Sequence, residues 1–213
     1  MSNPVLDEHN RIAGERVVAA LQKNGFTASF FTTLAEAGKH VLNSITDNSS
    51  VGFGGSATIA AMDLQAALTG KNCVIYDHGI VADPDEKYKM RLMQLQSDYF
   101  LSGTNAVTMD GRLYNVDAMG NRVAAMIFGP KHVIVAASVD KIVPDLAAAD
   151  ARVRQLAAPR NNLRLKTENP CTVCGFCTDC QSARRLCKVA VTLHKKPGVR
   201  DFQVLLIGER AGY

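Results

Sequence analysis

The chain of 213 residues contains no tryptophan, its aromatic content is 6%, and its formal net charge at pH 7 is only +4. A nucleic-acid-binding domain usually carries a strongly basic face with interleaved aromatic side chains, so this composition argues against nucleic acid as a partner. No apolar run approaches the ~18–20 residues that a membrane span needs, and the first residues lack the basic and apolar segments of a secretory signal. We therefore expect a cytoplasmic protein without a membrane span.

Cysteine is almost absent outside one short stretch. Five of the six cysteines lie within PCTVCGFCTDCQSARRLC, residues 170–187. The sixth, Cys73, lies in NCVIYD, where we expect it to be a small buried hydrophobic side chain. Disulfides are rare in a reducing cytoplasm, so a metal site is the first explanation of the cluster.

The spacing of these cysteines is typical of metal ligands. Two residues separate each neighbouring pair from Cys171 to Cys180, and six separate Cys180 from Cys187. Bacterial ferredoxins use C-x2-C-x2-C-x3-C-P, but here the last short interval is x2 and Gln181 replaces the proline. Pairs of the form C-x2-C bind zinc equally well. The spacing leaves open an iron–sulfur cluster, a zinc ion, or an empty or partly oxidised thiol array. The predicted ligands are Cys171, Cys174, Cys177, Cys180 and Cys187.

Short apolar strands alternate with helices along the chain. Apolar periodicity predicts helices over 5–23, from about Thr58 to Gly70, and over 145–157, the last one stopping before Pro159. This alternation predicts an α/β fold in which a mainly parallel sheet is covered by helices on both faces. We expect a single domain over residues 1–213. The cysteine-rich residues 168–190 show neither the apolar spacing of a helix nor that of a strand, so we expect them to form an insertion or flap.

The stretch VGFGGSAT, residues 51–58, predicts a sharp turn between a strand and a helix. Gly54 and Gly55 permit the turn, and Ser56 and Thr58 can cap the helix that follows. Free N–H groups at such a turn can bind a phosphate or carboxylate. The stretch lacks the G-x-G-x-x-G spacing and a Walker lysine, so a purely structural turn is the alternative.

A second polar segment is LSGTNAVTMDGRLYNVDAMGNR, residues 101–122. Its Asp110-Gly111 pair predicts a hairpin turn, whereas Arg122 can hold a carboxylate or phosphate through two hydrogen bonds. Lys141 follows the apolar strand HVIVAAS and is expected at the same carboxyl edge of the sheet, where ligands bind in open α/β folds. His78, which directly follows the apolar stretch NCVIYD, is a further candidate for an acid or base. The candidate ligand-binding residues of this segment are Thr104, Asn105, Asp117, Gly120, Asn121 and Arg122.

Together these stretches resemble the LUD (lactate-utilisation) domain family in its small single-domain form. The similarity rests on VGFGGSAT, LSGTNAVTMDGRLYNVDAMGNR, GPKHVIVAASVDKIV, AAPRNN and the cysteine stretch, in that order, and DAMGNR and GFCTDCQSARRLC are the most specific of them. It implies a three-layer α/β/α fold similar to that of ribose-phosphate isomerases, glucosamine-phosphate deaminases and CoA transferases.

The resemblance also implies a bacterial lactate-to-pyruvate oxidation system, with larger iron–sulfur subunits as partners. The family's cysteines match Cys171, Cys177, Cys180 and Cys187, whereas Cys174 stands where another residue is usual. An iron–sulfur cluster, of the 4Fe–4S kind, is thereby favoured over zinc as the cofactor, and a small carboxylate or phosphate is the expected ligand. Whether this chain is itself an enzyme, and whether it forms a homo-oligomer, stays open.

Two other functions compete with a subunit of a redox system. One is a stand-alone enzyme acting on a sugar phosphate or acyl-CoA, which would need a carboxylate facing the glycine turn; Asp110 and Asp117 are the candidates. CoA transfer ranks low because no glutamate lies in that segment. The other is a redox-sensing or assembly module that acts through its thiols.

Overall fold

The computed structural model describes residues 3–198 and 201–213. Its strands are β1 Thr27–Phe31, β2 Ser50–Phe53, β3 Val74–Asp77, β4 Tyr99–Gly103, β5 Ala106–Thr108, β6 Leu113–Asp117, β7 His132–Ser138, β8 Ile142–Val143, β9 Val189–Leu193 and β10 Asp201–Ile207. Its α-helices are α1 Pro4–Lys23, α2 Leu34–Ser44, α3 Ala57–Ala60, α4 Gln65–Gly70, α5 Pro84–Gln96, α6 Asn121–Ile127, α7 Leu146–Arg152, α8 Ala158–Arg164 and α9 Cys171–Cys174. Within the described ranges, none of these helices has the length and apolar character to cross a bilayer.

Six strands form a central sheet in the order β1-β10-β7-β4-β2-β3, and every neighbouring pair is parallel. β7 and β10 are neighbouring strands inside this sheet, and their residues alternate between two hydrophobic cores. Val133 and Val135 face a core shared with α1 and α6, while Ile134 and Ala136 face a core shared with α2. Helices therefore cover both faces, which confirms the predicted α/β architecture with a mainly parallel sheet.

A second sheet of four strands, in the order β8-β5-β6-β9, lies beyond the carboxyl ends of the central strands. β5 and β6 form the predicted antiparallel hairpin, in which Gly111 N–H donates to Thr108 O at 2.8 Å. β9 pairs antiparallel with β6. The sequence did not predict β9, because its residues lie at the end of the cysteine-rich segment that had no recognisable period. That segment is thereby attached to the body at its carboxyl end.

Two predicted helices differ from those in the structure. The helix expected from Thr58 to Gly70 is broken into α3 and α4, because Asp63 adopts a left-handed φ of 49° that a helix interior cannot hold. The helix expected to stop before Pro159 instead passes through a π turn, Val153–Ala157, and continues as α8. Pro159 lies in the first turn of α8, where the missing proline N–H does not interrupt the hydrogen bonding.

Candidate functional site

The glycine turn after β2 places the backbone against β4. A Cβ on Gly54 would lie 2.8 Å from Phe100 Cζ and 2.9 Å from Ser102 Oγ, so only glycine fits there. Ser56 caps α3 by accepting a hydrogen bond from the Ile59 N–H at 3.2 Å. Since α3 spans only four residues, its dipole is small, and an anion near the turn would depend chiefly on individual N–H groups and nearby cations.

The start of α6 is organised by Asp117 at the end of β6. Gly120, with a left-handed φ of 83°, provides no capping side chain, and Asp117 Oδ2 accepts instead from the Val123 N–H at 3.0 Å. Asp117 Oδ1 also pairs with Arg122 Nη2 at 2.6 Å. Arg122 Nη1 donates further to Asn115 Oδ1 at 2.6 Å and to the Gly103 carbonyl at 2.9 Å. The ion pair with Asp117 and these hydrogen bonds therefore fix the Arg122 guanidinium in place.

Lys141 ends a 3₁₀ turn, Val139–Lys141, directly after β7. Its side chain is 3% exposed, and its Nζ donates to Thr58 Oγ1 at 3.2 Å. Burial lowers the pKa of Lys141 to about 8, and Arg152 adds to the effect, whereas Asp140 opposes it. The amine therefore loses its proton far more readily than a surface lysine does.

These elements surround one cleft of about 490 Å³ at the carboxyl ends of β2, β3, β4 and β7. Thr58 lies just beneath the cleft, fully buried against Lys141. Gly120 precedes the two lining residues of α6 without lining the cleft itself. The residues predicted from sequence that line the cleft are Gly54, Gly55, Ser56, Thr104, Asn105, Asp117, Asn121, Arg122 and Lys141.

Three cations that the sequence analysis did not single out also line the cleft: Lys87 and Arg91 on α5, and Arg164 on α8. Within residues 3–198 and 201–213, neither these three nor Lys141 forms an ion pair with an acidic side chain. Arg91 Nε is buried and has no hydrogen-bond partner among the described residues. The cleft is therefore electropositive and suited to an anionic ligand.

His78 also lines the cleft, and its Nδ1 lies 3.0 Å from Gln94 Nε2. Burial lowers its pKa, with the charge of Arg91 as the next cause, so the imidazole is neutral at pH 7.

The two carboxylates that the sequence offered as catalytic groups, Asp110 and Asp117, are both engaged in ion pairs with arginines. Asp117 pairs with Arg122, and Asp110 pairs with Arg112 in the hairpin turn, outside the cleft. This counts against isomerase-type chemistry with either aspartate as the base.

Four of the five clustered cysteines line a separate cavity of about 20 Å³: Cys171, Cys177, Cys180 and Cys187. Cys174 is exposed and does not line it; its Sγ lies within hydrogen-bonding distance of the Pro170 and Phe176 carbonyl oxygens. No three His, Cys, Asp or Glu side chains of the described chain are close enough together to hold a single metal ion.

Arg185 holds together two segments of the backbone that lines the cysteine cavity. Its guanidinium donates to the Cys180 and Cys187 carbonyls, each at 2.8 Å, and pairs with Asp179 at 2.8 Å. Burial raises the pKa of the Cys171 and Cys187 thiols, and the neighbouring thiols add to the effect. Without a cation between them these thiols stay protonated at neutral pH.

The sequence profile of the LUD domain matches residues 14–207. The chain belongs to the LUD domain family. Among solved structures, a DUF162 family protein from Deinococcus radiodurans superimposes with a TM-score of 0.56 at 14% identity, over 93% of this chain and 98% of the other. The eIF2B delta subunit from Chaetomium thermophilum gives a TM-score of 0.36 at 17% identity, over 54% and 50%. No curated protein matches the chain.

In this LUD domain the cleft and the cysteine cavity are neighbours. Leu186 lines both, and the π turn and α8 contribute adjacent residues, Ala157 to the cleft and Ala158 to the cavity. Sequence spacing did not reveal this proximity, because the cysteine segment folds back across the sheet edge through β9.

Proposed function

We propose that this LUD domain is a subunit of a lactate-oxidising system, with a thiolate-bound metal centre at Cys171, Cys177, Cys180 and Cys187. The observation that carries the proposal is that these four cysteines line one cavity, whereas Cys174 is exposed and does not line it. The same cavity shares Leu186 with an electropositive cleft that suits a small carboxylate. Membership of the LUD family supports the lactate context.

The four cysteine thiols are chemically suited to bind a zinc ion or an iron–sulfur cluster. Four thiolates carry a large negative charge that a metal and nearby cations must offset. As thiolates, Cys180 and Cys187 would interact with Arg185, and Cys177 would interact with Arg154. These two guanidinium groups, which also pair with Asp179 and Asp150, are cations that can help to neutralise the site.

Iron–sulfur and zinc centres would require opposite movements of the thiols. A zinc ion draws four ligands to within ~2.3 Å of one point, and the described thiols are too far apart for that, so zinc would pull them inward. A 4Fe–4S cluster would use the four thiolates as its ligands, and a cavity of about 20 Å³ would have to open to admit it. We favour the cluster, which would supply one-electron redox chemistry when bound, with larger iron–sulfur subunits as partners.

The test is purification under anaerobic conditions followed by iron, sulfide and zinc analysis and an absorption spectrum. The proposal predicts protein-bound iron and sulfide in near-equal amounts, with a broad absorption near 400 nm that dithionite bleaches, as thiolate-bound clusters show. Stoichiometric zinc without iron would reduce the centre to a structural one. Metal-free protein with four reduced thiols, even after reconstitution with iron and sulfide, would contradict the proposal.

A further inference from the structure

The Lys141 amine has an unusual set of neighbours for a buried lysine. Lys141 lines the cleft and is 3% exposed as a residue, and its amine pairs with no carboxylate of the described chain. A buried ammonium normally has an anionic partner, because an unpaired buried charge is costly. Lys141 therefore lies where its neutral form is favoured.

Thr58 leaves the lone pair of that neutral amine available. The single Thr58 hydroxyl proton is donated to the Ala211 carbonyl at 3.2 Å. The hydroxyl oxygen can then only accept from Lys141 Nζ, at 3.2 Å, and so it orients the amine without occupying its lone pair.

Two of the three charged groups that act on Lys141 also favour its neutral form. Arg152 and Arg122 are cations that disfavour a third positive charge, and only the Asp140 carboxylate favours it. A lysine that is desolvated beside other cations is the arrangement that makes an amine nucleophilic at neutral pH.

We propose that Lys141 is a nucleophile that forms an imine with a 2-oxo carboxylate bound in the cleft. The Nζ lone pair attacks the carbonyl carbon of the ligand, and the carbonyl oxygen takes up a proton from the nitrogen to give a carbinolamine. The hydroxyl then leaves as water with the second nitrogen proton, which leaves a C=N bond. No oxidant or reductant is needed, and water reverses the reaction.

The carboxylate of the ligand matches the unpaired cations of the cleft, above all Arg91, whose Nε is buried without a partner. This inference rests on the proposed small-carboxylate cleft, but it does not depend on the metal centre. It also predicts selectivity, because a 2-hydroxy carboxylate such as lactate has no carbonyl and cannot form the imine.

The test is to incubate the protein with pyruvate, reduce with sodium borohydride, and measure the intact mass and the modified peptide. The expected result is one added 1-carboxyethyl group, the reduced form of the pyruvate imine, per chain on Lys141, and none with lactate. The Lys141→Met and Lys141→Arg variants should lose the adduct by roughly tenfold or more, since a surface lysine is mostly protonated at neutral pH. The matched control is Lys39→Met, an exposed lysine on α2, which should label like the parent chain.

Trapping rates measured against pH should rise with a midpoint near the lowered pKa of Lys141, about 8. A midpoint near 10.5, an adduct on Lys87, or labelling spread over surface lysines would overturn the inference, as would equal labelling of parent and Lys141→Met. Cys171→Ser separates this result from the metal proposal: it should lose metal and still be trapped at Lys141. Loss of trapping in that variant, with the fold intact by circular dichroism, would also overturn the claim that imine formation does not depend on the metal centre.

Discussion

The carboxylate of Asp117 and the guanidinium of Arg122 form an ion pair with 2.6 Å between Oδ1 and Nη2, and their side chains are only 6% and 14% exposed. This pair joins the end of β6 to the first turn of α6. Arg122, expected from the sequence to bind an anion directly, thus has its Nη1 and Nη2 donors engaged by its own chain.

Arg122→Met should therefore lower stability. Removing one member of a largely buried ion pair leaves the other charge without its partner and costs about 3 kcal/mol. Urea unfolding measures the change. Arg164→Met, on the same cleft but exposed and without an ion pair, is the control and should change the free energy of unfolding by less than about 0.5 kcal/mol. Equal unfolding midpoints for Arg122→Met and the parent would contradict this account.

Anion binding is expected to depend on Arg91 instead. Arg91 lines the cleft, and its buried Nε has no hydrogen-bond partner among the described residues, so Arg91→Gln should weaken pyruvate binding by about 1.5–3 kcal/mol, the range for a hydrogen bond to a charged group. Titration calorimetry at low salt measures it. Arg16→Gln, on the exposed face of α1, should bind like the parent. If both variants bind pyruvate equally well, Arg91 does not hold the ligand.

The buried amine of Lys141 should make stability depend on pH. An unfolded lysine keeps its proton up to about pH 10.5, whereas the folded one loses it near 8. Between these values the unfolded chain binds more protons, so stability rises with pH, and the penalty of the buried charge is fully present below about pH 8. Lys141→Met should consequently be more stable than the parent at pH 7, by ~1–3 kcal/mol.

That difference should shrink as the pH rises from about 8 to 10.5. Denaturant titrations of parent and Lys141→Met at several pH values measure it, and taking the difference cancels the other groups that titrate in both proteins. A difference that stays constant over this range would show that the Lys141 amine is not desolvated.

The parts of this fold that were predictable are those with a local signal. The buried strand β7 and the helix α1 follow directly from their apolar patterns, and the predicted turn at Asp110-Gly111 matches the structure. The break at Asp63 was not predictable, because an aspartate in the left-handed region leaves no mark on apolar spacing. The continuation past Pro159 was not predictable either, because it follows a π turn, and apolar spacing does not indicate where a π turn occurs.

The candidate site was partly predictable for a related reason. Residues that follow strands, such as Gly54 and Lys141, could be placed at the carboxyl edge because parallel strands end there together. Arg91 and Arg164 lie on helix surfaces, where a cation is ordinary and only the tertiary structure shows which one faces the cleft. Cys174 could not be separated from its neighbours by spacing alone, since every interval around it is the same.

Arg185 should matter more for the cysteine cavity than its neighbour Arg184. Arg185 holds the Cys180 and Cys187 carbonyls, whereas Arg184 forms an exposed ion pair with Glu168. Arg185→Gln should release metal to a chelator faster than the parent, because two ligand backbones lose their common anchor and nearby positive charge is removed. Arg184→Gln is the matched control. Identical release from the two variants would mean that the anchoring hydrogen bonds do not hold the site.

The most direct test of the account compares metal content per chain in anaerobically purified Cys174→Ser and Cys180→Ser. Both replace one thiol of the same segment, but only Cys180 lines the cavity, while Cys174 is exposed beside it. The account predicts a full metal complement in Cys174→Ser and a loss of most or all metal in Cys180→Ser. Loss of metal in Cys174→Ser, or full retention in Cys180→Ser, would contradict the assignment of Cys171, Cys177, Cys180 and Cys187 as the ligands.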